Sequence, residues 1–182
     1  MRYLSFFAVL FFFSTTTYAQ SYLSLGYGIA NTSSDSSYLE DVDGNTIALA
    51  YGKHSSQRFA WEAVFRKTSF DKSTDSFSFP GFGTFNVTSE VDVMSFGGGF
   101  RYFLGRFLNI NAGLLYSKTD FNIETNLGGD AIADDDSGLG LYYGFGIQLP
   151  LGPIEIIADY TGHKFSSDVS ATEITGGVRL RF

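Results

Sequence analysis

The sequence of 182 residues contains no cysteine, and its basic residues are few. Without cysteine the chain has no disulfides, no zinc–thiolate site and no cysteine-based catalysis. Removing Arg2, which falls in a leader segment, leaves 11 Lys and Arg against 19 Asp and Glu, a net charge of −8. This balance argues against nucleic acid as a partner, because nucleic acid selects basic surfaces.

Long hydrophobic runs are also missing from residues 20–182, so no transmembrane helix is expected there. Only a closed barrel could carry this part of the chain across a membrane. Residues 1–19 have the layout of a secretory signal peptide, with Arg2, a short apolar run and Ala19 before the expected cleavage. We expect residues 20–182 to form one domain. Because no cysteine lies near residue 20, we expect no lipid anchor of the bacterial lipoprotein kind.

Aromatic residues and glycine are abundant, at 18% of the chain and 21 residues respectively. Eight segments alternate apolar residues with polar or small ones, as strands with two unlike faces do. Each is close to the roughly 9–11 residues that a tilted strand needs to cross a bilayer. The segments lie near residues 21–30, 44–53, 59–69, 88–103, 108–119, 139–149, 154–163 and 171–182.

The last segment alternates most strictly. Its apolar face contains Ile174, Gly176, Val178, Leu180 and Phe182, and its other face contains Glu173, Thr175, Gly177, Arg179 and Arg181. In seven of the eight segments most large apolar side chains share one face, and most small or charged ones share the other. Eight strands enclose only a narrow space, so the large side chains fit better outside than inside. The pattern therefore predicts an all-β, eight-stranded antiparallel up-and-down barrel in a membrane, rather than a soluble barrel.

The charged residues on the inward face are balanced, with four acids and four arginines. Unpaired charges in a narrow lumen would each cost on the order of several kcal/mol, so we predict that they pair as a polar plug. Arg179 and Arg181 are expected to meet Glu155. The predicted plug comprises Glu62, Arg66, Arg101, Glu155, Asp159, Glu173, Arg179 and Arg181.

The connections alternate between short (54–58, 104–107 and 150–153) and long (31–43, 70–87, 120–138 and 164–170). Short turns on one side and long loops on the other are typical of outer-membrane barrels. Aromatic residues near the short turns predict an interfacial girdle. Its members would be Tyr22, Tyr51, Phe59, Trp61, Phe100, Tyr102, Phe103, Phe107 and Phe182. Segment 88–103 fits poorly, because Val91 and Val93 fall on the face opposite to Phe96. Either a bulge near Met94 or a strand end above the membrane would explain this misfit.

These features resemble the small bacterial outer-membrane β-barrels of the OmpA transmembrane-domain, OmpX and opacity-protein type. The resemblance covers residues 20–182 and includes the ending Gly177-Val178-Arg179-Leu180-Arg181-Phe182. It implies a location in the outer membrane of a Gram-negative bacterium, surrounded by lipid and lipopolysaccharide. It also implies that Val178, Leu180 and Phe182 form a signal for the barrel-assembly machinery. We expect a monomer.

Motifs for chemistry are weak. His163 is expected to face inward near Asp159 and Ser166, but its spacing from Ser166 differs from that of lipid A deacylases. His54-Ser55-Ser56 has that spacing but lies in a periplasmic turn. The acidic runs 40–43 and 134–136 lack the residue order of an EF-hand, and the glycine runs 97–99 and 138–140 do not open helices. We predict no catalytic residues, no cofactor and no metal site.

The predicted function is structural or surface interaction through long extracellular loops, in membrane integrity, adhesion or resistance. The alternatives are a narrow low-conductance channel and a lipid-A-modifying enzyme. The sequence does not name a surface ligand.

Overall fold

The computed structural model describes residues 21–34, 43–70, 73–79, 83–125, 132–164 and 169–182. Nine strands account for nearly all of them. No helix among these residues has the length and hydropathy of a membrane span. The strands are β1 (Ser21–Ser34), β2 (Asp43–His54), β3 (Phe59–Phe70), β4 (Ser73–Phe79), β5 (Gly83–Phe103), β6 (Leu108–Thr125), β7 (Ile132–Leu151), β8 (Ile154–Lys164) and β9 (Val169–Arg181).

Eight of these strands close into an antiparallel barrel, which confirms the predicted fold class. Neighbours in sequence pair with each other, β1 pairs with β9, and β3 pairs with β5, so the ring has no open edge at membrane level. The seam is complete at its periplasmic end, where Ser21 and Phe182 exchange two backbone hydrogen bonds of 3.1 and 3.0 Å. The ninth strand, β4, pairs only with the upper part of β5 and lies outside the ring.

The three short turns occupy residues 55–58, 104–107 and 152–153. Gly105 and Gly152 have positive φ angles of 130° and 74°. A side chain would strain the backbone at both, so glycine is the residue these tight reversals require. The three turns join β2 to β3, β5 to β6 and β7 to β8 at the periplasmic end, where the β1–β9 seam also lies.

The outward faces agree with the alternation in the sequence. Large apolar side chains such as Leu25, Phe96, Tyr143 and Ile174 are more than half exposed on the outside of the barrel. Exposure of this kind on every barrel strand is what a lipid environment requires, because lipid tails replace the apolar core of a soluble protein.

The interior is less uniformly polar than the sequence suggested. Tyr22, Ala60 and Phe103 form an apolar cluster inside the periplasmic end. Tyr22 and Phe103 are 0% and 4% exposed, so the prediction that they belong to the girdle is wrong. Strand parity turns both side chains inward although they lie at the height of the girdle. A second cluster (Val64, Leu115 and Tyr142) lies at mid-height, and a third (Ala30, Phe70 and Val93) near the extracellular end.

The third cluster resolves the misfit of segment 88–103. The pairing of β5 with β3 and β6 runs through Met94 without an added residue, so no bulge is present. Val93 simply faces inward, where it packs on Phe70 and Ala30. The strand is 21 residues long and continues beyond the apolar exterior, so the second explanation is the correct one.

Candidate functional site

The lower tier of the lumen lies next to the periplasmic turns. Arg179 is fully buried, and its Nη1 lies 3.1 Å from Glu155 Oε2 and 2.8 Å from Gln148 Oε1. The guanidinium stacks 4.7 Å from the centre of the Tyr22 ring. Arg181 Nη2 reaches the other oxygen of Glu155 at 2.6 Å, with its side chain 31% exposed. One carboxylate from the start of β8 therefore holds both arginines of β9.

The middle tier is centred on Arg101, which projects from β5. Its Nε lies 2.7 Å from Glu62 on β3, and its Nη1 and Nη2 lie 2.9 and 3.2 Å from the two oxygens of Asp159 on β8. The Tyr22 hydroxyl donates to Glu62 at 2.5 Å, and Nη1 of Arg101 also donates to Asn109. A single guanidinium thus bridges opposite walls of the barrel and satisfies two carboxylates.

The upper tier is centred on Glu173 of β9. Arg66 donates to one of its oxygens, and Thr46 and Thr68 donate to the other at 3.2 and 3.1 Å. His163 Nε2 lies 3.1 Å from the same oxygen that Arg66 contacts. Side chains of three strands, β2, β3 and β8, therefore converge on one buried carboxylate of β9.

The structure places all eight predicted charged residues in these three tiers, each within reach of an opposite charge. Their pairing offsets the large cost of removing charges from water. Between the middle and upper tiers, the cavity available to the centre of a water molecule is about 20 Å³, with Tyr142, Ser24 and Thr175 among its lining residues. This cavity thus has room for about one water between the middle and upper tiers.

Sequence reasoning missed the neutral members of this network. Tyr22, Asn109, Gln148, Thr46 and Thr68 all contact the charged residues. Their positions in the alternating pattern of each strand, which turn them inward, were the signal that could have identified them. Three further inward side chains, Asn111, Tyr142 and Thr161, have buried polar atoms with no partner among the described residues.

The residues considered for chemistry do not assemble into a catalytic group. His163 contacts Glu173, whereas Asp159 forms an ion pair with Arg101. Ser166 lies outside the described residues. His54 packs its ring on Phe103 and Tyr22, with centroids 5.1 and 5.5 Å apart, inside the periplasmic end.

The side chains of the acidic runs 40–43 and 134–136 lie largely outside the described part of the chain. Residues 40 and 41, and the side chains of residues 134–136, lie outside what the structure describes. Among the described residues, no three His, Cys, Asp or Glu side chains group in a way that could hold a metal ion.

A second candidate region is the part of the sheet that projects beyond the apolar band. On the outer surface this band ends at two exposed ion pairs, Lys67–Asp92 at 3.9 Å and Lys118–Asp120 at 2.7 Å. Above them the backbone pairing continues through β4, β5, β6 and β7. Residues 83–92 of β5 add about 30 Å of strand beyond the band. The long connections predicted from sequence are therefore largely strand on this side of the barrel.

A closed eight-stranded barrel with an apolar exterior and a paired, charged interior is the architecture of a bacterial outer-membrane protein. The chain belongs to the family described as outer membrane protein beta-barrel domain, whose model matches residues 5–182. It is therefore a protein of the bacterial outer membrane, which confirms the predicted family and location. The signal peptide and the domain boundary at residue 19 stay predictions, because residues 1–20 lie outside the described part of the chain.

Solved structures share the fold. Ail, the attachment invasion locus protein of Yersinia pestis, in complex with the heparin analogue sucrose octasulfate, matches with a TM-score of 0.62 and 16% identity, over 89% of this chain and 97% of that one. Neisserial surface protein A matches with a TM-score of 0.54 and 16% identity, over 91% and 99%. A major outer membrane protein from Thermus thermophilus gives 0.53 and 12%, over 89% and 99%. No curated protein matches the sequence significantly.

Proposed function

We propose that this protein is a surface-interaction protein, in which the plugged barrel is the anchor and the projecting sheet of β4–β7 makes the contact. The observation that carries the proposal is the one-sided extension of these strands beyond the membrane-facing band. A barrel that only had to fill the bilayer needs strands of about 9–11 residues. β5, β6 and β7 have 21, 18 and 20 residues, so much of their length extends beyond the membrane-facing band.

The projecting sheet offers backbone edges for recognition. Within the described residues, the outer edge of β4 has no pairing partner, and β7 is paired with β8 only from Leu141 onwards. Unpaired edges can accept an extended segment of another protein as an added strand. The edge of β7 carries Asp134, Asp135 and Asp136, whereas β4 has the single acid Asp75. Because charges on an edge discourage pairing, β4 is the better acceptor.

The charge of the extracellular half indicates the kind of partner. By sequence position, all 15 acidic residues outside the lumen belong to this half, together with the four lysines Lys67, Lys72, Lys118 and Lys164, which gives a net charge of −11. Such a surface attracts cationic partners and repels polyanions. The complex of Ail contains a polyanionic heparin analogue. We infer that this chain prefers a partner of the opposite sign, and that contact with lipopolysaccharide phosphates requires bridging divalent cations.

The same reasoning favours neither alternative function. A channel would need a continuous lumen, and the three tiers of ion pairs interrupt it. A lipid-modifying enzyme would need an activated nucleophile that reaches the membrane, whereas His163 is buried against Glu173 inside the barrel. We therefore propose a non-enzymatic, monomeric anchor with no cofactor.

The test is binding of the purified barrel in phospholipid nanodiscs to immobilised polylysine, polyglutamate and heparin. We expect binding to polylysine alone, which decreases as salt rises. A variant that neutralises six acids of the projecting strands, D75N/E90Q/E124Q/D134N/D135N/D136N, should lose much of this binding while it still shows the gel shift of a folded barrel. A matched control changes the periplasmic turn 55–58 and should bind normally. Binding to heparin, or full binding of the neutralised variant to polylysine, would refute the proposal.

A further inference from the structure

The periplasmic end has a charge opposite to that of the extracellular end. Three exposed basic residues, Lys53, Arg58 and Arg106, lie in or beside the short turns, and none of the three described turns contains an acid. The lumen contributes four acids and four arginines, so it adds no net charge. The barrel is therefore polarised along its axis, with a basic rim facing the inner leaflet and an acidic surface outside.

The three basic residues occupy one side of the rim. Lys53 lies near the end of β2, Arg58 lies in the turn between β2 and β3, and Arg106 lies in the turn between β5 and β6. Because β3 pairs with β5, these two turns are neighbours, and Phe103 N donates to the carbonyl of Arg58 at 2.7 Å. The turn on the opposite side, Gly152-Pro153, has no charge.

Aromatic side chains on the same wall fix the height of these charges. Phe59 lies 5.2 Å from Trp61 and 5.7 Å from Phe100, between ring centres. Lys53 is the cross-strand partner of Trp61. The guanidinium of Arg106 lies 5.7 Å from the centre of the exposed Phe107 ring. Since such aromatic belts lie at the level of lipid headgroups, the basic residues beside them lie at that level too.

We propose that Lys53, Arg58 and Arg106 form a binding surface for anionic phospholipid headgroups of the inner leaflet. Lys53 and Arg106 point outward beside lipid-facing aromatic residues, where a headgroup phosphate is the nearest anion. Basic residues near an anionic lipid surface are attracted to it strongly enough to concentrate such lipids around the protein.

The test measures lipid selectivity of the full barrel in phosphatidylcholine bilayers. Spin-labelled phosphatidylglycerol and spin-labelled phosphatidylcholine are compared by the fraction of each that the protein immobilises. We expect about a fivefold preference for phosphatidylglycerol, which disappears near 1 M salt because the charges are exposed. The variant K53Q/R58Q/R106Q should show no preference, and K67Q/K118Q/K164Q, which removes as many charges from the extracellular half, should keep it.

A gel shift of the folded form establishes that each variant has assembled. If the triple variant fails to fold, the single variant R106Q and the salt series on the unchanged protein carry the test. Equal immobilisation of the two labels by the unchanged protein would overturn the proposal, as would loss of the preference in the extracellular variant. Retention on isolated anionic cell-wall polymer without a lipid preference would assign the rim to that polymer instead.

Discussion

Replacing Arg101 with alanine should destabilise the barrel more than any other single change in the plug. The guanidinium is almost fully buried and serves Glu62 and Asp159 together. Its removal leaves two carboxylates in the lumen without a cation. Removing one partner of a buried pair costs about 3–5 kcal/mol, and two stranded carboxylates place Arg101→Ala at the upper end of that range.

The measurement is equilibrium urea unfolding in phospholipid vesicles. Trp61 is the only tryptophan and faces lipid, so its fluorescence reports insertion of the barrel. With a slope of about 2 kcal/mol per molar urea, a loss near 5 kcal/mol moves the midpoint down by roughly 2.5 M. Arg181→Ala is the matched control. Its side chain is partly exposed and Glu155 keeps Arg179, so we expect a loss of about 1 kcal/mol or less.

A second variant separates charge from packing. R101M combined with E62Q and D159N removes all three charges and keeps the shape of the tier approximately. Replacement of a buried ion pair by neutral groups of similar volume is often close to neutral, so this variant should recover most of the lost stability. If it is as unstable as Arg101→Ala, or if Arg181→Ala costs as much, the argument from stranded charge is wrong.

Three further predictions concern the same interior and the seam. Tyr22→Phe should lower the free energy of unfolding by about 1.5–3 kcal/mol in the urea assay, because the Tyr22 hydroxyl donates to a carboxylate. Tyr142→Phe should be neutral or stabilising, since the Tyr142 hydroxyl has no partner among the described residues. Equal effects of the two substitutions would contradict this prediction. Planar-bilayer recordings should show no stable openings for the unchanged protein, and openings of uniform size would refute the plug. Deletion of Phe182 should lower the amount of folded protein in the outer membrane, measured by the heat-modifiability gel, with Leu151→Ala as an outward-facing control; unchanged assembly would remove the assembly-signal proposal.

The sequence predicted the outward faces because the lipid imposes one condition on every strand. A side chain such as Phe145 or Val178 must be apolar whichever strands neighbour it, so alternation alone identifies its direction. The contact of Arg179 and Arg181 with Glu155 could also be predicted from the sequence. β8 and β9 are consecutive, and Glu155 lies directly across the ladder from Arg179.

The contacts across the lumen could not be predicted from the sequence in this way. Arg66 meets Glu173 from a strand three places away around the ring, and Arg101 meets Asp159 across it. Such pairs depend on the stagger between all the strands that separate them, which no single ladder contains. Strand β4 was missed for a different reason. Its run Ser73–Phe79 is rich in serine and short, so it has the composition of a loop, and its strand state depends on pairing with β5.

The separation of charge along the axis links the anchor to the proposed function. The lumen is neutral because its four acids and four arginines balance, so the net charge of residues 20–182 resides at the two ends. All 15 acids outside the lumen belong to the half where the strands project, whereas the periplasmic rim contains three bases and no acid in its turns. An acidic sheet cannot be held close to an outer leaflet of phosphate groups by direct attraction. The basic rim is then the end at which charge ties the barrel to its membrane, and the acidic end remains available for a cationic partner.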